Sequence, residues 1–427
     1  MINDKLFEPR SIVVVGGSND RHKPGGAVLQ HLIEKGYRGK LYVVNPKENK
    51  VQGILSYQDP ALLPDVDLAI IVIAARFVVD IVDLLATKKN TRAFIIISAG
   101  FSEEGAEGKI MEERLVDIVN SVNGTLIGPN CIGVLTPFYA GVFTRPIPML
   151  HPSGFDFISG SGATACFIME AGIPLGLTFS RVFSVGNSAQ TGVEDILQYM
   201  DETFDPAYSS CDKLLYLETI SKPQMLLKHA SSLIRKGCRI AAIKAGTSEA
   251  GTRAASSHTG ALASPDAAVE ALFRKAGIVR CHGRDELINV AAIFRFPKLK
   301  GKNIAIITHA GGPAVMLTDA LSAGKMGVPH LEGLAAEELH KHLHPGSSVA
   351  NPIDFLATGN AEQLGTIIDY VENKFDEIDG MVVIFGTPGL DRVFNEYGVI
   401  HDKMEVCSKP IFPILPSIMT AGEEIKD

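Results

Sequence analysis

Short runs of aliphatic and β-branched residues recur along the chain and stop at small or polar turns. They lie at Ser11 to Gly16, Leu41 to Asn45, Leu68 to Ala74, Phe94 to Ser98, Phe155 to Ser159, Leu214 to Glu218, Arg239 to Ile243, Asn303 to Thr308 and Met381 to Phe385. Runs that are apolar on both faces read as buried parallel strands. Between them, Gly26 to Glu34, Thr164 to Ala171, Leu226 to Arg235 and Ala314 to Ala323 carry apolar residues at helical spacing. Strands alternating with helices predict an α/β protein with doubly wound sheets. A Pro-rich segment, Thr144 to Pro152, and the stretch Arg295 to Gly301, which ends a helical run, divide the pattern into three domains: 1–145, 146–298 and 299–427.

Composition narrows the class. A chain of 427 residues that is 46% hydrophobic can bury the cores of two to four domains. Its net charge of -8 leaves no basic surface for nucleic acid or an anionic membrane. The start has no basic stretch followed by an apolar core, and no apolar run reaches the roughly 18 residues of a membrane span, so a cytoplasmic protein is expected. The six cysteines, Cys131, Cys166, Cys211, Cys238, Cys281 and Cys407, include no CxxC pair. That spacing fits reduced thiols and argues against structural zinc or a disulfide framework. No metal site is expected.

Several turns carry candidate chemistry. After the first strand, Gly16-Gly17-Ser18 and then Lys23-Pro24-Gly25-Gly26 precede a helix. Glycines there let backbone amides approach a phosphate, although the spacing is not GxGxxG and packing alone can require them. The second strand ends Val44-Asn45-Pro46-Lys47. An NAD-binding unit places Asp or Glu near this point, whereas a lysine suits the extra phosphate of NADP or coenzyme A. The first domain closes on Gly128-Pro129-Asn130-Cys131, which presents an amide and a thiol at a strand end.

In the second domain, Ser159-Gly160-Ser161-Gly162-Ala163-Thr164 joins a strand to an apolar helix, a backbone nest suited to a dianionic phosphoryl group. Glu218 ends a strand of the same sheet as Arg239 to Ile243. Beyond that strand, Ala255 to Ala263 reads as a mobile small-residue loop carrying His258, whose imidazole is a nucleophile near neutral pH. A carboxylate at Glu218 can accept from imidazole Nδ1 and leave Nε2 free to attack phosphorus. The third domain repeats the theme in Thr308-His309-Ala310-Gly311-Gly312-Pro313. His309 is a rival phosphate carrier, but it sits against a strand, which favours His258.

Taken in order, Gly16-Gly17-Ser18, Gly128-Pro129-Asn130-Cys131, Ser159 to Gly162, Val185-Gly186-Asn187, Glu218 and Ser257-His258-Thr259-Gly260-Ala261 resemble the nucleoside-diphosphate-forming acyl-CoA synthetases, relatives of succinyl-CoA synthetase. The resemblance covers nearly the whole chain and is strongest up to about residue 295. The ADP-forming acetyl-CoA synthetases, with all three domains on one chain, fit best. It implies a Rossmann-like CoA-binding domain followed by two flavodoxin-like parallel-sheet domains. It implies His258 as the phosphorylated residue, Glu218 as its orienting carboxylate, and the helix starts at Gly162 and Gly312 as the pair that embraces the phosphate. Ser159, Gly160, Ser161 and Gly311 belong to the same phosphate-binding turns. Gly17, Ser18, Lys47, Ala74, Asn130 and Cys131 fall in segments similar to the CoA site.

The implied reaction converts acyl-CoA and phosphate to acyl phosphate and CoA, passes the phosphoryl group to His258, and then to ADP, giving acid and ATP. Family members bind ATP or ADP with magnesium on an ATP-grasp domain, as a separate subunit or fused, and this chain has no room for it. An ATP-grasp partner and an oligomer are therefore expected. The carboxyl end stops where the family's third domain is expected to continue. Two other classes share part of the pattern: an NADP-dependent oxidoreductase, which leaves His258 unexplained, and a non-catalytic CoA-binding regulatory protein.

Overall fold

The computed structural model describes residues 2–259, 265–387, 392–417 and 419–426, the side chains of 255–259 and 426 excepted. The chain divides into two compact units, Met1–Ala292 and Ile293–Asp427. Three sheets organise them.

The first sheet holds β1 (Ser11–Val15), β2 (Lys40–Val44), β3 (Lys50–Val51), β4 (Ile54–Tyr57), β5 (Leu68–Ile71), β6 (Ala93–Ile96) and β7 (Thr125–Ile127), in the order β3-β4-β2-β1-β5-β6-β7. Only the β3/β4 pair is antiparallel. Strands β1, β5 and β6 are buried along their whole length, as strands covered by helices on both faces must be. The helix Pro24–Glu34 turns Val28, Leu29 and Leu32 inward, and Val78–Lys88 does the same with Val78, Val82 and Leu85.

The second sheet holds β8 (Gly133–Thr136), β9 (Tyr139–Val142), β10 (Leu150–Ser159), β11 (Phe179–Ser184), β12 (Asp212–Leu217), β13 (Arg239–Lys244) and β14 (Val279–Cys281), in the order β14-β13-β12-β10-β11-β8-β9. Strands β10 to β14 are parallel, and the β8/β9 hairpin joins them antiparallel through β11. The sequence places the first boundary at residue 145; sheet membership changes earlier, between β7 and β8. The hairpin ties the sheets together. Its β9 packs on the helix Pro24–Glu34, whose buried His31 places Nδ1 2.7 Å from the Val142 carbonyl. One apolar cluster runs from Val14 and Ile70 through Val134 and Phe183 to Leu215 and Ala242.

The second unit is built on β15 (Ile304–Thr308), β16 (Ile353–Asp354), β17 (Gly380–Ile384) and β18 (Ile411–Ile414), all parallel, in the order β16-β15-β17-β18. Its helix Ala361–Asn373 buries Leu364, Ile367, Ile368 and Val371, the spacing of one helical face.

Each of the nine apolar runs coincides with a strand. The strands that the apolar pattern misses are short or mixed in character. Strand β11, Phe-Ser-Arg-Val-Phe-Ser, is the instructive one. Its Arg181 is tolerated in the sheet because Nε sits 3.6 Å from the buried Asp156 of β10, which also pairs with the buried Lys213 at 2.8 Å.

Candidate active site

In the first sheet, the strand order reverses direction between β1 and β5, the point where open α/β sheets leave a crevice at the strands' carboxyl ends. Gly16 follows β1 with φ +91°, and a Cβ there would lie 2.2 Å from the Val72 carbonyl oxygen just after β5, so only glycine closes this turn. The Gly17 carbonyl accepts from Asn45 Nδ2 at 2.8 Å. The Ser18 hydroxyl accepts from the Asp20 amide at 3.1 Å. Asn45 Oδ1 accepts from the Lys47 amide at 2.9 Å, and the Lys47 side chain is exposed. The sequence sets Pro24, Gly25 and Gly26 before a helix; they form its first turn, with Lys23 as N-cap, because proline suits the first helical position.

Two turns meet across the first unit. The turn Gly128-Pro129-Asn130 leaves the first sheet, and the turn after β11 docks on it: the Asn187 amide donates to the Pro129 carbonyl at 3.0 Å, and the Ala189 amide to the Gly128 carbonyl at 3.2 Å. Gly186 is obligatory here, since a Cβ would stand 2.2 Å from the Pro129 oxygen. Asn187 Nδ2 then reaches Glu103 Oε2 at 2.5 Å and Glu112 Oε1 at 2.6 Å. Desolvation opposes ionisation of Glu103, but the Asn187 hydrogen bond and the amides of Gly100, Glu103 and Phe101 outweigh it and hold its carboxyl below the usual range. Cys131 is buried beside this junction. Its thiol donates to the Ile96 carbonyl at 3.3 Å, and burial pushes it up to about 12, so it packs as a neutral thiol.

The nest after β10 is held by its own side chains. The Ser159 hydroxyl donates to the Ser161 carbonyl at 2.7 Å and accepts the Ser161 amide at 3.2 Å. Ser161, the N-cap of the helix Gly162–Gly172, accepts from the Thr164 amide at 3.4 Å. The amides of Gly162 and Ala163 have no intrahelical acceptor. A Cβ on Gly162 would lie 2.4 Å from Ile132 Cγ2.

These turns line one pocket of about 1070 Å³. Ala74, Asn130 and Cys131 come to it from the first sheet; Gly160, Ser161, Gly162 and Glu218 come from the second. Gly17, Ser18 and Lys47 are not among its lining residues, and Ser159 is buried beneath the nest. Three residues of the predicted CoA set, Ala74, Asn130 and Cys131, thus share a cavity with the predicted phosphate turn and with Glu218, which follows β12.

The sequence pattern missed the rim on the far side. Lys222 holds both oxygens of Asp195 at 2.7 Å, and its amide donates to the buried Glu194 at 3.0 Å. Asp195 also caps the helix Val193–Glu202 by accepting from the Gly192 amide at 2.9 Å. Gly-Val-Glu-Asp before an amphipathic run was a usable helix-start signal; its pairing with Lys222 was not, because the partner lies on another segment. Lys244, at the end of β13, was also missed. Its ammonium is buried and donates to the Ala245 carbonyl; burial pulls its pKa down, and the Glu218 and Asp266 carboxylates oppose that pull.

His258 requires a correction. The expected loop is a helix, Glu249–Thr259, so the backbone of His258 lies in its last turn. Ser248 starts this helix, its hydroxyl accepting from the Gly251 amide at 3.0 Å, and Arg253 meets Glu249 at 3.1 Å one turn apart. The alanines that look like loop filler are strong helix formers. The His258 side chain and residues 260–264 lie outside the described residues.

In the second unit, the Thr308 hydroxyl donates to the Ala310 carbonyl at 2.8 Å and accepts the Ala310 amide at 3.0 Å. The helix that follows is Gly311–Ala323, beginning one residue before the expected Gly312. His309 packs its ring 4.5 Å from that of Phe385, with Nδ1 3.4 Å from the Ile384 carbonyl, as a strand-end packing residue. Among the described residues, no group of three or more His, Cys, Asp or Glu is placed to hold a metal ion. None of the described helices is long and apolar enough to cross a membrane.

Comparison with known proteins agrees with this geometry. A CoA binding domain family matches residues 10–137, and a succinyl-CoA ligase like flavodoxin domain family matches residues 152–294. The alpha subunit of acetate–CoA ligase [ADP-forming] II from Pyrococcus furiosus is 37% identical over 96% of this chain and 89% of its own length. Acetate–CoA ligase [ADP-forming] I from Archaeoglobus fulgidus is 32% identical over 90% of this chain, which spans only 55% of that relative. Among solved structures, acetyl-coenzyme A synthetase 1 of Ca. Korarchaeum cryptofilum, in complex with phosphate and ADP, superimposes with a TM-score of 0.89 at 28% identity, covering 99% of this chain and 90% of the other. A CoA-binding sheet and a ligase-type flavodoxin sheet sharing one pocket, together with identity of this extent, establish that the chain belongs to the ADP-forming acetate–CoA ligases, a family of acid–thiol ligases.

Proposed function

We propose that this chain carries the CoA-binding and phosphohistidine half of an ADP-forming acyl-CoA synthetase. The observation that supports this most is the shared pocket, in which residues of the predicted CoA segment, the Ser159 to Gly162 nest and Glu218 line one cavity. In the proposed sequence, a phosphate oxygen attacks the thioester carbonyl and CoA leaves as the thiol, forming acyl phosphate. Imidazole Nε2 of His258 then attacks phosphorus, and the acid departs as carboxylate. Glu218 accepts from Nδ1, fixing the tautomer and stabilising the charge that develops on the ring. The amides of Gly162 and Ala163, with the helix dipole behind them, stabilise the phosphoryl oxygens. Gly17, Ser18, Lys47, Ala74 and Asn130 are assigned to CoA, and Cys131 contributes by packing. Gly311 and Gly312 are assigned to phosphoryl binding.

The final transfer to ADP needs nucleotide and magnesium, which we assign to an ATP-grasp subunit or fused domain, in a cytoplasmic and oligomeric enzyme. The test is incubation of the chain with acetyl-CoA and radiolabelled phosphate. Acid-labile, base-stable label on His258 is expected, with His258→Ala abolishing it and Glu218→Gln slowing its formation by about 100-fold or more. Absence of label with acetyl-CoA and other acyl-CoAs, in the presence of an ATP-grasp partner and with CoA still bound, overturns the reading in favour of a non-catalytic CoA-binding protein.

A further inference from the structure

The second sheet brings together two cysteines that lie 27 residues apart in sequence. Cys211 immediately precedes β12 and Cys238 immediately precedes β13, and the two strands pair in parallel with Asp212 opposite Arg239. The amide of Arg239 donates to the Cys211 carbonyl at 3.2 Å, and its guanidinium grips the Asp212 carboxylate at 2.7 and 2.9 Å, so the register at this end is firmly held. The two sulfurs are 3.3 Å apart. Neighbouring strands run about 4.8 Å apart, and a disulfide spans Cα atoms separated by roughly 4.4–6.8 Å, so the bond requires no strand to move. Cys238 is buried and Cys211 is only partly buried, so Cys211 is the one of the pair nearer to solvent.

We propose that Cys211 and Cys238 are a redox-active pair that closes to a disulfide by exchange with a low-molecular-weight disulfide, stapling β12 to β13 at the end of the sheet opposite Glu218. The Cys211 thiolate attacks one sulfur of the oxidant, breaks its S–S bond and expels a thiolate that takes up a proton. Cys238 then loses its proton to solvent and attacks the Cys211 sulfur of the mixed disulfide, expelling the second thiolate. Two protein thiols become one disulfide, and the oxidant is reduced to two thiols. Burial, with the contact to Cys211, pushes the Cys238 thiol up to about 12, which makes it the resolving rather than the attacking sulfur. The staple lies at the strands' amino ends, away from the pocket, so it changes stability and leaves CoA binding untouched.

The experiment treats the full chain with oxidised glutathione, blocks remaining thiols with N-ethylmaleimide and maps the tryptic peptides by mass. A Cys211–Cys238 cross-linked peptide, lighter than the two free peptides by two hydrogens, is expected. Closing this loop should raise the Tm by roughly 5–10 °C with an unchanged Kd for CoA. Cys211→Ser should melt with the reduced parent, showing that it folds, and should lose the oxidant-dependent shift. Recovery of both cysteines as maleimide adducts, scrambled pairing with other cysteines, or an equal Tm shift in Cys211→Ser overturns the proposal.

Discussion

The turn at Ser159 to Thr164 and the turn at Thr308 to Pro313 begin alike and end differently. In each, a hydroxyl at the last strand residue donates to the carbonyl two positions on and accepts that residue's amide, bending the chain from strand into helix. At the N-cap they part. Ser161 turns its hydroxyl onto the Thr164 amide, whereas Ala310 has no side chain with which to do so. The glycines differ as well: a Cβ on Gly162 would stand 2.4 Å from Ile132 Cγ2, whereas one on the equivalent Gly311 would meet only Asp354 Oδ2, at 3.2 Å, and nothing lies within 4 Å of the Cβ position of Gly312. One helix end is finished by the protein's own side chains and locked against its neighbours. The other has open space at its second helical position and no side-chain cap, an arrangement that costs roughly 1 kcal/mol unless an external acceptor supplies the missing bond. Similar sequence signals therefore conceal different commitments.

The largest contrast comes from adding one methyl group to each turn. Gly162→Ala forces a Cβ into Ile132 and should destabilise the first unit by about 1–3 kcal/mol, whereas Gly312→Ala meets open space and should stabilise its helix by up to about 1 kcal/mol. Chemical denaturation of each variant measures both. A Gly312→Ala chain that is stable yet slow in phosphoryl transfer would show that the open turn is kept for a ligand. Exchanging the caps gives a smaller effect. Ser161→Ala should cost about 1 kcal/mol, and Ala310→Ser should return a similar amount to the second unit, read as opposite shifts in urea midpoint.

The smallest effect is a pH dependence at the junction that holds the first turn in place. The folded pKa of Glu103 is lowered, so its contribution to stability is fully present above the unfolded carboxylate value near 4.3. It is lost as pH falls through the folded value. Melting curves between pH 3 and 6 should therefore fall less steeply for Glu103→Gln than for the parent, with the two curves converging at the acid end.

How far the residues alone carried the reading depends on the range of the interaction. The unbroken apolar runs located β1, β5, β6, β12, β13, β15 and β17 because a strand covered on both faces needs no partner to declare itself. The carboxylate at Glu218 and the Gly-Ser turn at 159–164 followed from their places after such runs. Strand β11 escaped, since Arg181 is acceptable only beside Asp156, and the β8/β9 hairpin could not be assigned to its sheet without β11. The small residues around His258 predict a loop, whereas the backbone there is helical, because the Ser248 cap and the helix propensity of the alanines outweigh the loop-like composition.

Local backbone chemistry thus settled the class, the strands and the turns where amides gather, since β-branched runs, glycines and hydroxyl caps act over a few residues. Only the tertiary structure joined Ala74, Asn130 and Cys131 to Gly160 and Glu218 around one cavity, docked Asn187 between Glu103 and Glu112, paired Lys222 with Asp195 and set Cys211 against Cys238. Each of those contacts joins segments brought together by sheet order and helix packing, and no local pattern encodes which distant residue will arrive.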